Sequence, residues 1–333
     1  MTPLAPHLTA FLRERLPRER GASVHTCDAY AYSFKLLLCF AAKRLDTQPA
    51  ALALEQLDMP LVLAFLADLE AARGNTPRTR NARLAAIKSF ARFVQYRVPS
   101  CLQQVYSLLS IPSKQIDEAL VDYLTRDQMQ AVLDAPDPSR RDGVRDRAML
   151  HLAFSAGLRV SELTGLRLDE VLFKPQPAVH VRGKGRRERV LPLWKTTTVA
   201  LRAWLAVRGA PACLELFLNA RGEPLSRDGF AHILSKHVAT ATVKMPSLST
   251  NRVSPHVLRH TCAMDILQAT HDIRKVALWL GHSSVQTTEI YVRADPTEKL
   301  EAIEAVLPPG LRRGRFRASD ELIASLIPPR SGS

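Results

Sequence analysis

Six polar residues in the last two-thirds of this 333-residue chain constrain its fold more than any other feature: Arg159, Lys184, His256, Arg259, His282 and Tyr291. They are far apart in sequence, yet each sits in a short run that suits it to face one phosphate. Arg159 lies in Ala156-Gly157-Leu158-Arg159-Val160-Ser161-Glu162-Leu163, and Lys184 is the centre of Gly183-Lys184-Gly185. His256 and Arg259 share His256-Val257-Leu258-Arg259-His260, and His282 lies in Leu280-Gly281-His282-Ser283-Ser284, nine residues before Tyr291. A fold that unites them must bring the ends of several elements to one place.

The residue types suit one chemistry. Cleavage of a phosphodiester puts extra negative charge on the non-bridging oxygens, and arginine, always charged, can give them two parallel hydrogen bonds. That is the expected role of Arg159 and Arg259. Arg159 follows a helix-ending glycine and precedes Ser161-Glu162, an anionic helix start. Glu162 either orients Arg159 or forms a structural salt bridge with it. His256 and Arg259 are three apart and share a helix face. Ser254 as cap and Pro255 as first residue place His256 in the first turn, where free N–H groups also favour an anion. Lys184 is either an exposed turn lysine or a mobile ammonium that protonates a departing oxygen. Ser283 and Ser284 can cap the helix after His282. Tyr291 carries a hydroxyl able to attack phosphorus. His260 and His271 are assigned structural places.

Around these runs the chain reads as helical. Tyr30–Ala42 and Leu61–Ala72 are apolar-rich segments. Thr76 caps a helix that begins at Pro77 and runs through Leu84, Ile87, Phe90 and Val94 in three- and four-residue steps. Arg78, Arg80, Arg83 and Lys88 fall on or near its exposed first turns, as a basic face. Residues 98–119, with Pro99, Pro112 and weak periodicity, read as a linker. Thr125 and Gln128 form a capping box at the start of a second domain. Helices follow at Arg145–Ser155, from Ser226 to about Thr240 and from Ser254. Val179–Val181 and Val190–Leu193 flank the glycine turn as a β-hairpin. The expected domains are 1–110, a linker at 111–119, 120–310, and a tail at 311–333.

Composition narrows the partners. The chain carries 46 Lys and Arg against 32 Asp and Glu, a net charge of +14. Residues 1–110 hold 14 basic against 8 acidic side chains, so the excess is spread over both domains rather than held in a tail. Two basic folded domains suit a polyanion. The five cysteines have neither CxxC nor metal-ligand spacing, which fits reduced thiols and a cytoplasmic protein. No apolar run of about 20 residues is present to span a membrane, and the N-terminus lacks a signal-peptide pattern.

With these runs in this order, the chain resembles the tyrosine recombinase (phage integrase) family, by motif over most of residues 120–305 and by general character over 1–110. The resemblance implies a mainly α fold with a small β-sheet (α+β). A helical, SAM-like DNA-binding domain would precede a catalytic domain, the two clamping duplex DNA. It implies site-specific cutting and rejoining of DNA through a 3′-phosphotyrosine, without metal, ATP or other cofactor. By resemblance Arg159, Lys184, His256, Arg259, His282 and Tyr291 form the active site, with Tyr291 as nucleophile and Glu162 behind Arg159. His256 manages the tyrosine proton, and Lys184 protonates the leaving oxygen. Arg78, Arg80, Arg83, Lys88, Arg186, Arg187 and Arg189 hold DNA. The family acts as a tetramer, or with related recombinases, on two DNA sites, here most simply for a mobile element. A type IB topoisomerase uses a similar residue set, and a DNA-binding regulator with a dead site is a third reading.

Overall fold

The computed structural model describes residues 1–116, 120–183, 188–209, 213–282, 284–295 and 303. The chain divides into two compact units, Met1–Glu118 and Ala119–Ser333. It is mainly helical with one small sheet, as the sequence implies.

The first unit is built from α1 (Leu4–Ala10), which runs on into a wider-turned helix over Phe11–Glu19, then α2 (Val24–Arg44), α3 (Met59–Ala71), α4 (Pro77–Val94) and α5 (Leu102–Ser110). Their starts are written in the caps. Ser23, Asp58 and Thr76 each accept a hydrogen bond from a backbone N–H of the first turn. Phe11, Phe34 and Phe90 meet edge to face at the centre, with ring centroids 5.3–6.1 Å apart. Residues 98–111, part of the stretch 98–119 read from sequence as linker, instead belong to this core: Cys101, Val105, Leu108 and Ile111 are buried. Helix α5 is short, so its three-residue apolar spacing was too brief a run to register as a helix.

The second unit contains α6 (Arg126–Asp134), α7 (Arg141–Ser155), α8 (Val160–Thr164), β1 (Val171–Leu172), β2 (Ala178–Arg182), β3 (Glu188–Pro192), α9 (Lys195–Arg208), α10 (Arg227–Lys244), α11 (Pro255–Thr270), α12 (Ile273–Leu280) and α13 (Glu289–Ala294). The strands form an antiparallel sheet in the order β1-β2-β3, with Val179 opposite Leu191 and Val181 opposite Arg189. The capping box at Thr125 and Gln128 is present, and Ser226 and Ser254 cap α10 and α11. One core is centred on Met149, Leu152, Leu201, Trp204 and Phe217. A smaller one, of Ala263, Met264, Leu267, Val276 and Leu280, surrounds Tyr291. Among the described residues no helix is long and apolar enough to cross a membrane. The expected tail, 311–333, lies outside the described residues.

Candidate active site

The site is organised around one buried carboxylate. Glu162 stands on the first turn of α8, and its Oε2 accepts the backbone N–H of Arg159 at 2.9 Å, tying the side chain back to the helix start. Its Oε1 accepts Arg159 Nη1 at 2.8 Å. From β3, Arg189 donates Nη1 to Oε1 at 3.2 Å and Nη2 to Oε2 at 2.8 Å. Arg259 Nη1 on α11 approaches Oε2 to 4.0 Å. Three guanidinium groups thus share one carboxylate, and only Arg159 keeps substantial exposure, 35% of its side chain. Burial pushes the Glu162 carboxyl up, but hydrogen bonds and charge from Arg189, with Arg159 behind them, bring it below its usual value.

Arg259 is held from the other side as well. It donates Nη1 to the Gly157 carbonyl and Nη2 to the Leu280 carbonyl at 2.7 Å. Burial, and then Arg159, lower its pKa to about 10, so it stays charged at neutral pH. Both carbonyls come from tightly fitted chain reversals. Gly157 closes α7 at φ +55, and a Cβ there would sit 2.7 Å from Leu280 Cδ2 and 3.1 Å from Cys262 Sγ. Gly281 follows α12 at φ +65, and a Cβ there would press on Arg189 Cδ at 3.1 Å. Two glycines therefore let the ends of α7 and α12 approach the arginines.

His282 and Tyr291 complete the described part. His282 Nδ1 lies 2.9 Å from Thr288 Oγ1. Burial first, then Arg259, Arg159 and Arg189, depress its pKa to about 4, so it is neutral at pH 7. Tyr291 is only 1% exposed, and burial raises its pKa to about 12, against the lowering influence of Arg259. Its Oη is 2.9 Å from His260 Nδ1. His256 is exposed at the start of α11, its ring stacked 6.5 Å from that of His260. Lys184, Arg186 and Arg187 lie outside the described residues.

The structure thus brings together Arg159, Glu162, Arg259, His282 and Tyr291, with His256 at the edge. It also corrects two placements. His260, assigned no site role from sequence, touches the tyrosine oxygen. Arg189, expected on DNA backbone, is turned inward onto Glu162, its side chain 11% exposed. Both had a signal: His260 lies one helical turn after His256, and Arg189, two residues before the inward Leu191, shares its face of the strand. Among the described residues no group of His, Cys, Asp or Glu is placed to hold a metal ion.

On α4 the basic residues separate. Arg78 is exposed. Arg80, expected on the exposed face, is buried at 6%, where it reaches Asn81, the Pro112 carbonyl and, at 3.9 Å, Glu70. A helix start carries residues on every side, and position 80 falls on the side covered by the returning chain. Arg83 is half-buried, donating Nη1 to Ser33 Oγ at 2.9 Å and stacking over Tyr32. Lys88 is half-buried too, and burial, with Arg92 nearby, lowers its pKa.

Comparison with known proteins gives the same reading of the chain. Residues 122–298 match the Phage integrase family, and residues 8–97 match Phage integrase, N-terminal SAM-like domain. A protein named as an integrase/recombinase, y4rC of Sinorhizobium fredii (strain NBRC 101917 / NGR234), is 45% identical over 325 residues, 97% of each chain. Tyrosine recombinase XerC of Pelobacter propionicus is 33% identical over 92% of this chain and 97% of its own. In fold, the XerH site-specific recombinase bound to palindromic difH substrate matches with a TM-score of 0.66 at 20% identity, over 89% of this chain and 84% of that one. The Tn1549 transposon integrase in complex with transposon right end DNA matches at 0.65 and 16% identity, over 90% and 99%. The chain belongs to the phage integrase family of tyrosine recombinases.

Proposed function

We propose that this enzyme is a site-specific recombinase that cuts and rejoins duplex DNA through a 3′-phosphotyrosine at Tyr291. The observation that carries the reading is the cluster of Arg159, Arg189 and Arg259 on the single carboxylate of Glu162, with a tyrosine hydroxyl packed beside it. Three guanidinium groups against one carboxylate leave the cluster cationic. Arg159, the exposed member, with Arg259 behind it, is placed to meet the non-bridging oxygens of a phosphate. His282, neutral, donates a hydrogen bond to the same group, and Lys184 protonates the departing 5′ oxygen. Because the phosphotyrosine conserves the energy of the phosphodiester, a 5′-hydroxyl reseals the strand without ATP. Glu162 holds the arginines in register, a positioning role.

The basic character of both units suits duplex DNA, with Arg78 the exposed contact on α4. The transposon integrase and XerH that share the fold are each bound to DNA, and in the proposed reading this chain likewise acts on DNA, as several protomers on two sites of a mobile element. The test is covalent capture. A suicide substrate nicked beside the cleavage point should leave a protein–DNA adduct on a denaturing gel with the native chain. Tyr291→Phe, which removes only the attacking oxygen, should bind the same DNA and leave none. An adduct from Tyr291→Phe would move the nucleophile elsewhere.

A further inference from the structure

The structure separates the two histidines that flank Arg259. His256 is exposed in the first turn of α11, whereas His260, one turn on, points to the phenol of Tyr291 with Nδ1 and Oη 2.9 Å apart. The rings of His260 and Tyr291 are 5.5 Å apart, close enough to fix their mutual orientation. Tyr291 is 1% exposed, so its O–H must find an acceptor inside the protein, since an unpaired buried donor is expensive. His260 offers one only as the tautomer with its proton on Nε2.

The charges around His260 favour that state. Burial comes first in holding the ring neutral, followed by His256, stacked beside it, and by Arg259, the preceding residue. Asp122 acts in the opposite direction, and the net shift is downward. A neutral imidazole with a free Nδ1 lone pair, directed at a protonated phenol, is a base in position.

We propose that His260 is the proton acceptor for Tyr291 during strand cleavage, the task that family resemblance gives to His256. The proposal rests on the reading of Tyr291 as nucleophile. As the phenol oxygen bonds to phosphorus, the bond from phosphorus to the 5′ oxygen breaks and its electron pair leaves with that oxygen. The leaving oxygen takes its proton from Lys184, the general acid of the proposed function. The phenol proton passes to His260 Nδ1, giving an imidazolium. That cation lies next to Arg259 and His256, which disfavour it, so the proton is readily returned. When a 5′-hydroxyl attacks the phosphotyrosine, His260 protonates the departing phenol and the ring is neutral again.

The experiment measures single-turnover adduct formation on the nicked substrate from pH 6 to 10. The chains compared are the native one, His260→Gln, His256→Gln, His260→Ala and Tyr291→Phe. In the native chain the rate should level off once His260 is neutral. His260→Gln should bind DNA normally and be slower at pH 7 by about 10²–10⁴-fold, the usual worth of a positioned base. Its rate should climb about tenfold per pH unit, because solvent hydroxide must now take the proton. Added imidazole should accelerate His260→Ala, and 3-fluorotyrosine at position 291, a more acidic phenol, should narrow the deficit of His260→Gln. None of these readouts moves if His260 only packs against the ring. A constant deficit at every pH would overturn the proposal, as would a climbing profile in His256→Gln instead. If Tyr291→Phe still forms adduct, the nucleophile assignment fails; if it is inactive while His260→Gln follows the native profile, only the role of His260 fails. Imidazole ¹⁵N shifts of the native chain give a check that needs no His260 variant to fold. They should place the proton on Nε2 and change in Tyr291→Phe, and a proton on Nδ1 would overturn the assignment.

Discussion

Glu162→Ala is the most demanding single change, because one carboxylate is shared among three arginines. Glu162 is 5% exposed at its side chain, and Arg189 and Arg259 are 11% and 6% exposed. Removing the carboxylate strips Arg189 of two charge-assisted hydrogen bonds and leaves three guanidinium groups to repel one another in a poorly solvated place. Breaking a buried ion pair by deleting one partner costs about 3–5 kcal/mol. For a domain of this size, each kcal/mol lowers the melting temperature by roughly 2–4 °C, so Glu162→Ala should melt about 6–20 °C below the native chain. Arg259, still bonded to two backbone carbonyls, should keep its place, whereas Arg159 should lose the side-chain partner that, among the described residues, holds its guanidinium. Adduct formation should therefore fall even below the melting temperature.

The assay is differential scanning calorimetry of the native chain, Glu162→Ala, Arg189→Ala and the double variant. The double variant should cost less than the two singles together, by about 0.5–3 kcal/mol of coupling. Acid gives a second reading. The Glu162 carboxyl is depressed in the folded chain, so its contribution is present above the unfolded value near 4.5 and is lost as pH falls through the lower folded value. The native chain should thus approach Glu162→Ala in stability well below pH 4.5. If the single variant melts within about 1 °C of the native chain, or if the singles simply add, the carboxylate is not the organising group.

Gly157→Ala should destabilise by about 1–3 kcal/mol, because its φ of +55 is strained for alanine and the new Cβ meets Leu280; urea denaturation would measure it, and a neutral result would contradict the close packing. Cleavage should survive excess EDTA, since cationic side chains rather than a metal stabilise the phosphate; loss of adduct that magnesium restores would refute that. Lys184→Ala should slow cleavage with little change in DNA affinity, and a 5′-bridging sulfur, which departs without a proton, should rescue it far better than it rescues Arg159→Ala. Equal rescue of both would remove Lys184 from the acid role.

Much of this was legible because the signals were local. Thr76 with Pro77, Thr125 with Gln128, and Ser254 with Pro255 announce helix starts that the structure contains, since a cap acts within one turn of itself. The alternating strands about Gly183 likewise mark the hairpin. What escaped depends on which way a side chain turns in three dimensions. Arg80 and Arg83 sit among charged neighbours on a helix start, and nothing local says that Pro112 and Ser33 come back to meet them. Arg189 stands in an arginine-rich run, Arg186-Arg187-Glu188-Arg189, where only strand alternation distinguishes the inward member. His260 closes the run His256-Val257-Leu258-Arg259-His260 but matches none of the six active-site positions, although helical geometry puts it on the face of His256.

The division of labour among the cations follows from how each type titrates. Arginine side chains keep their charge across the physiological range, so the attraction for phosphate does not depend on proton uptake by the site. His282 is held neutral by burial and then by those same arginines, and His260 by burial, then His256 and Arg259, so both can act as hydrogen-bonding groups and, in the proposed reading, move a proton rather than add charge. A protonated imidazole at His260 would leave the phenol without an acceptor, and a neutral group in place of Arg259 would remove the positive influence that opposes the burial of Tyr291. Glu162 holds the guanidinium groups together while cancelling only part of their charge, as the proposed phosphate site requires. The same carboxylate that stabilises the fold therefore also sets the charge of the proposed site.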